Sequence, residues 1–246
     1  MQFLSHYWRK KLVRDIKGQS LLFLGIFFLC FFGISSYIAL TMGYTNLYAT
    51  IDHIYSETNF ADAEISTKSD IWFNMTELTV FTEEYMKNNP ELKQVNFRLQ
   101  TDVGYNSSIS SSDTRRYQLN NGRAIGINWT SIPSNVINSL IFTEGNFSSI
   151  NQMNNSIFLE AHYARTYNLH LGDHLQTRIQ GKFYNFSIQG IVYSPESLIL
   201  ISSKYASFVN KHFGIIFLPI NHLQQYTDYT GLANNIIIKT NFNMVF

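Results

Sequence analysis

Hydrophobic and polar positions are spread very unevenly along this chain. Residues Leu21–Leu40, LLFLGIFFLCFFGISSYIAL, form one apolar run, and no Asp, Glu, Lys or Arg lies between Lys17 and Asp52. At about 1.5 Å per residue, such a run spans roughly 30 Å as a helix, the thickness of a bilayer's hydrocarbon core. A cleavable signal has an apolar region of only about 7–15 residues and a small-residue cleavage site, which this segment lacks. A buried core helix carries a polar face, and none is present. The run therefore predicts an uncleaved transmembrane helix over 20–42.

The helical pattern continues beyond the membrane. Tyr44, Leu47, Tyr48, Ile51, Ile54 and Tyr55 recur at helical spacing, and no proline interrupts residues 1–89. One long helix from about Ser20 to Glu57 is expected, with 43–58 as a stalk and that stripe as its packing face. Before the span, Leu4, Tyr7, Trp8, Leu12 and Ile16 also fall at helical spacing. Residues 1–19 thus read as a basic amphipathic segment in the membrane interface, Trp8 and Tyr7 at headgroup depth.

The following residues, 59–246, alternate between strand and helix patterns. Strands are expected over Phe60–Thr67, Lys93–Thr101, Ala124–Trp129, Ile157–Leu159, Ser197–Ser202, Gly214–Pro219 and Asn235–Lys239. His174–Ile179 and Phe183–Tyr193 read as a hairpin turning at Gln180-Gly181. Helices are expected over Met75–Lys87, capped by Thr76, and over Glu160–Tyr167. Asn106–Asp113 (NSSISSSD) is the least structured stretch. Mixed elements without strict βαβ order predict an α+β class: a transmembrane helix extended as a stalk, then a mixed α/β extracytoplasmic domain of one core or two small subdomains.

Charge sets the orientation. Arg9, Lys10, Lys11, Arg14 and Lys17 face only Asp15, so residues 1–18 carry net +4 while the rest carries −3 within a total of +1. The positive-inside rule puts the N-terminus in the cytoplasm and residues from about 43 onward outside a cell membrane. With its basic cluster against a bilayer, the chain shows no nucleic-acid-binding pattern. The single cysteine, Cys30, lies within the span, so the outer domain has no disulfide and relies on burial; the chain's 15 Tyr and 20 Phe suit an aromatic core. Six N-x-S/T sequons, at Asn74, Asn106, Asn128, Asn146, Asn154 and Asn185, all lie on the outer side.

Catalytic chemistry is sparse. His170, Asp173 and His174 in HLGDH resemble a metal cluster, but Gly172 breaks the helix that would align the histidines, and the segment reads as a turn entering a strand. There is no G-x-S-x-G, P-loop or G-x-G-x-x-G pattern. No cofactor or enzymatic activity is implied.

Arg14-Asp15-Ile16-Lys17-Gly18-Gln19-Ser20 leads into the span, and Asn59-Phe60-Ala61-Asp62-Ala63 follows the long helix. These two segments resemble the start of the first span and the opening of the MacB-like extracytoplasmic core domain of FtsX-like ABC transporter permeases. Leu140–Asn146 stands where the family has a strand and an E-G-R-like turn, and Ile157–Ala164 resembles its strand-then-helix element. Leu169–Leu175, with Gly172 and Asp173, resembles an L-x-x-G-D-x-[LI] turn. Gly190–Glu196, ending in Ser194, Pro195 and Glu196, resembles the G-I-x-x-S-P-E segment of one subgroup. Phe213–Phe217 and Asn234–Ile238 follow in the expected order.

The resemblance implies a non-enzymatic membrane subunit, working with a cytoplasmic P-loop ATPase and a second permease copy. It implies that ATP-driven motion passes through the first helix to the outer domain, for export or envelope remodelling. It also implies at least three further spans, so the chain reads as the N-terminal fragment of a longer permease. From topology alone, a single-pass receptor or adhesion protein with an outer ligand-binding domain is the alternative.

Overall fold

The computed structural model describes residues 2–67, 71–108, 117–128, 136–147, 155–197 and 212–241. Contacts divide the chain into two units, Met1–His53 and Ile54–Phe246.

The first unit is helical. Helix α1 (Gln2–Gly18) gives way at Gln19 to helix α2 (Ser20–Glu57), whose last residues belong to the second unit. The Gln19 amide donates to the Asp15 carbonyl at 3.0 Å, and α2 opens with the Phe23 amide on the Gln19 carbonyl at 3.1 Å. Among the described residues, α2 is the one helix long and apolar enough to cross a membrane, and none of its apolar stretch is buried within the chain. Three of its threonines bond within the helix: Thr41, Thr45 and Thr50 donate to the carbonyls of Tyr37, Thr41 and Asn46, each at 2.8 Å. The long helix has the bounds that its sequence predicts.

In the second unit the strands are β1 (Ala63–Ser66), β2 (Phe73–Asn74), β3 (Leu92–Ser108), β4 (Tyr117–Ile127), β5 (Ile141–Gly145) and β6 (Ser156–Glu160). They are followed by β7 (His174–Ile179), β8 (Lys182–Tyr193), β9 (Gly214–Pro219), β10 (Leu232–Ala233) and β11 (Asn235–Thr240). The helices are α3 (Met75–Asn88), α4 (Ala161–Tyr167) and α5 (Ile220–Thr227).

Six of these strands close on themselves. Around the ring, β3 pairs antiparallel with β4, β4 parallel with β9, and β9 antiparallel with β6. Then β6 pairs parallel with β8, β8 antiparallel with β7, and β7 antiparallel with β3. Closure removes free edges, the liability of an open sheet. Alternation puts Leu99, Tyr105, Ile157, Leu159, Phe186, Ile188 and Ile216 in one core. The intervening residues Ile125, Phe158, Val192, Ile215 and Phe217 form a second core on the other face, against Leu140, Phe142 and Phe147. Strands β6 and β9 are therefore buried on both faces and read as unbroken apolar runs.

Two short helices cover the ends of β4. At Asn120 the side-chain amide donates to the Tyr167 hydroxyl of α4 at 2.6 Å. Six residues on, about 20 Å along a strand, a Cβ on Gly126 would stand 3.0 Å from the Ile220 Cα of α5. Outside the ring, β11 and β1 extend the sheet along the first half of β3, where α3 also packs, and β10 pairs with β2.

Several elements differ in extent from the sequence reading. The α3 cap is Asn74, whose side chain accepts from the amides of Thr76 and Glu77, rather than Thr76 itself. Glu160 caps α4 from outside instead of opening it, accepting from the His162 and Tyr163 amides. Strand β3 continues to Ser108, because β4 and β7 supply its polar end with partners on both edges. Strand β1 is shorter than expected, since Phe60–Asp62 serves the helix exit described below. Helix α5 carries no N-terminal side-chain cap bond and has no counterpart among the predicted helices. The strand expected beyond Ser197 lies outside the described residues.

Candidate functional site

The C-terminal end of α2 is built as a firm stop. Asn59 adopts the left-handed conformation (φ 49°), which Asn tolerates because its short polar side chain can bond locally. That turn brings the Phe60 amide to the Tyr55 carbonyl at 3.0 Å and the Asn59 amide to the Ser56 carbonyl at 3.4 Å. These are the paired bonds of a Schellman motif, and its apolar contact is present: the Tyr55 and Phe60 rings stack at 4.2 Å. The helix is terminated by its own sequence, and the chain leaves in a fixed direction.

The residues just after the helix are gripped from several sides. Asn138, also left-handed (φ 57°), donates its amide to the Asn59 carbonyl at 3.2 Å, and Ser139 donates to the Thr58 carbonyl at 2.9 Å. The Asn138 carboxamide oxygen accepts from the Ala61 amide at 2.7 Å, while its nitrogen donates to the Glu196 carboxylate. On the other side, Asp62 accepts from the Thr240 amide (2.7 Å), the Thr240 hydroxyl (2.8 Å) and the Lys239 ammonium (2.9 Å). Lys239 also donates to the Phe60 carbonyl at 2.8 Å. Burial alone would raise the Asp62 pKa; the Thr240 amide, the Lys239 ammonium and the Thr240 hydroxyl outweigh it and hold the carboxyl below its ordinary value.

Behind Asn138 lies a buried charge. Arg98 is 2% exposed and sits where β3 changes partner, from β11 at Asn235 to β4 at Gly126 opposite Leu99. Its Nε donates to the Asn235 side chain at 2.8 Å, and its Nη1 to the same Glu196 oxygen that Asn138 holds. Its Nη2 has no hydrogen-bond partner among the described residues and faces the Glu64 carboxylate at 3.7 Å. Asn235 in turn donates to Glu64 (2.5 Å) and Ser66 (2.8 Å) of β1. On the edge of β3 where β11 pairing ends at Arg98 and β7 pairing begins at Gly104, the Asn234 carboxamide serves Gln100. It accepts from the Gln100 amide at 2.8 Å and donates to the Gln100 carbonyl at 2.7 Å, as a neighbouring strand would.

Glu196 reaches this position from a local turn. Ser194 accepts from the Glu196 amide with its hydroxyl (3.3 Å) and from the Ser197 amide with its carbonyl (3.0 Å). Pro195, buried, opens the 3-10 turn Pro195–Ser197, a position that suits its fixed φ. The S-P-E segment is thus a rigid bracket at the end of β8, presenting a carboxylate to Arg98 and Asn138 together.

The remaining expected residues lie elsewhere. Gly172 (φ +84°) and Asp173 form a turn: Asp173 accepts from the His170 amide at 2.7 Å, and Gly172 donates to the Ile188 carbonyl at 2.8 Å. Arg9, Lys10, Lys11, Arg14 and Lys17 are all exposed on α1. Along the stalk stripe, Tyr44, Leu47 and Tyr48 are exposed, while Ile51, Ile54 and Tyr55 are half-buried. Arg98, Asn138, Asn235 and Glu64 were not identifiable from sequence, because their partners lie 58–171 residues away. Asp62 and Glu196 stood in quoted motifs.

Among the described residues, no group of three or more His, Cys, Asp or Glu is placed to hold a metal ion. Beside this junction, Ile127, Val136, Asn138, Ser139, Leu140, Phe142 and Phe147 line a cavity of about 100 Å³.

No family model and no curated protein matches the chain. It is similar to the extracellular domain of the noncanonic ABC-type transporter YknZ from Gram-positive bacteria, at 12% identity over 73% of this chain and 83% of that one, with TM-score 0.44. It is also similar to the periplasmic region of MacB from Actinobacillus actinomycetemcomitans, at 11% identity over 74% and 75%, with TM-score 0.40.

Proposed function

We propose that this chain is the membrane subunit of an FtsX/MacB-like ABC transporter permease. In this reading residues 1–19 lie in the cytoplasm, 20–42 cross the membrane, 43–58 form a stalk and 59–246 are the extracytoplasmic core domain. Its proposed partners are a cytoplasmic P-loop ATPase subunit and a second permease copy. Work done by the ATPase moves α2, and the helix exit passes that displacement to the outer domain, for export or envelope remodelling. The chain contributes no catalytic step of its own.

One observation carries the reading. The glutamate of the family-like S-P-E segment bonds both to buried Arg98 and to Asn138, the residue that grips the end of the long helix. A single-pass receptor does not account for the ordered set of family-like segments.

The test is purification of the full protein from its native membrane in mild detergent, followed by mass spectrometry and an ATP-hydrolysis assay. A P-loop ATPase at defined stoichiometry, with hydrolysis that follows the complex through gel filtration, is expected. A homogeneous protein with no ATPase would overturn the reading and leave the single-pass receptor.

A further inference from the structure

Helix α1 has no role in the junction, yet its surface is unusual for a helix in water. Trp8 and Ile16, which share one side of the helix, are 62% and 37% exposed, on a helix that also carries five cations and one acid. Lys10, Arg14 and Lys17 follow one another at four- and three-residue spacing and so share a face. Lys11 places its ammonium 5.7 Å from the centre of the Trp8 ring, an aromatic–cation pair that joins the apolar and charged sides. Only Gln19 separates this helix from the apolar helix that follows.

We propose that α1 is a binding surface for anionic lipid headgroups. The apolar residues enter the boundary between headgroups and acyl chains, and the Lys10–Arg14–Lys17 face collects phosphates of acidic lipids around it. Charge and continuity both select this occupant. The net charge of residues 1–18 is +4, and Leu21, three residues past Gly18, begins a run that belongs in hydrocarbon. Alone in water, a helix of this length is marginal, so its order should depend on the surface that it lies on. The proposal rests on α2 crossing a bilayer and not on the permease reading, so either can fail without the other.

The full chain is reconstituted in nanodiscs of pure phosphatidylcholine, and in nanodiscs in which about 30 mol % is replaced by phosphatidylglycerol, and amide hydrogen exchange is followed. Exchange over residues 2–18 is expected to be slower by about tenfold or more in the anionic discs, and the difference to disappear near 0.5 M salt. The triple variant Lys10→Gln, Arg14→Gln, Lys17→Gln removes the difference between disc types. Exchange in the outer domain, which is unchanged in that variant, reports that it remains folded. Equal exchange over residues 2–18 in both disc types would overturn the proposal, whether α1 is then free or held by protein. So would a lipid-dependent difference that survives the triple substitution.

Discussion

At the scale of single residues, Arg98 and Glu196 hold the greatest leverage. A buried guanidinium stays folded only while its hydrogen bonds and countercharges remain, and removing one partner of such a pair costs about 3–5 kcal/mol. Glu196→Ala is expected to destabilise the domain by up to about that amount in urea titrations, because it strands the Arg98 guanidinium, whose side chain is 3% exposed. Arg98→Ala removes that buried charge and leaves carboxylates that are 22% and 47% exposed, so its cost is expected to come mainly from lost packing. The double variant should fall short of the sum, showing a coupling of about 0.5–3 kcal/mol. Asp62 gives a pH signature. Its pKa is lowered by folding, so its contribution is complete above the unfolded value, near 4 for Asp, and fades as pH falls through the folded value. Asp62→Asn should therefore be less stable than wild type at neutral pH, with the gap narrowing below about pH 4 in denaturant titrations. Sequence exposed only part of this set. Asp62 and Glu196 stood in recognisable segments, but Arg98 is one cation in a β-forming run until the change of strand partner gives it a place.

At the scale of elements, the end of α2 is an assembled stop. Asn59 allows φ 49°, and a β-branched side chain there should lose about 1–2 kcal/mol, while Gly is tolerated. Asn59→Val is thus expected to lower the thermal midpoint and Asn59→Gly to leave it nearly unchanged, as read by circular dichroism. The barrel has an equivalent sensitive point where β4 and β9 meet. A Cβ on Gly122 would stand 2.1 Å from Tyr105 Cε2 and 2.3 Å from the Gly214 carbonyl. Gly122→Ala is expected to destabilise by about 1–3 kcal/mol or more, since both neighbours are packed and one is backbone. Local pattern was a good guide where an element's partners are near in sequence. The β7–β8 hairpin and α2 appear almost as predicted, because turn residues and apolar periodicity decide them. Of the stretch Asn106–Asp113, expected to be least structured, residues 109–113 lie outside the described residues; Asn106–Ser108 close β3 instead, paired by β4 and, at Asn106, by β7.

At the scale of the molecule, the closed ring and the β1–β11 extension share β3, and Arg98 lies at their joint. The exit from α2 touches both parts: Asn138 and Glu196 tie it toward the ring, and Asp62 ties it to β11. No periodicity in the chain reveals this closure, because it depends on which strands meet, not on which residues form strands. The overall class, a long apolar helix followed by a mixed α/β domain, was legible from patterning alone. The proposed function requires the junction to pass displacement from the end of α2 into the domain that follows. The direct test is the distance between spin labels on the exposed residue Glu83 in two copies of the proposed transporter, by pulsed electron resonance, with and without ATP. Coupling through the junction predicts a nucleotide-dependent shift in wild type that shrinks in folded Glu196→Ala protein. No shift in wild type, or an undiminished shift in that variant, would contradict it.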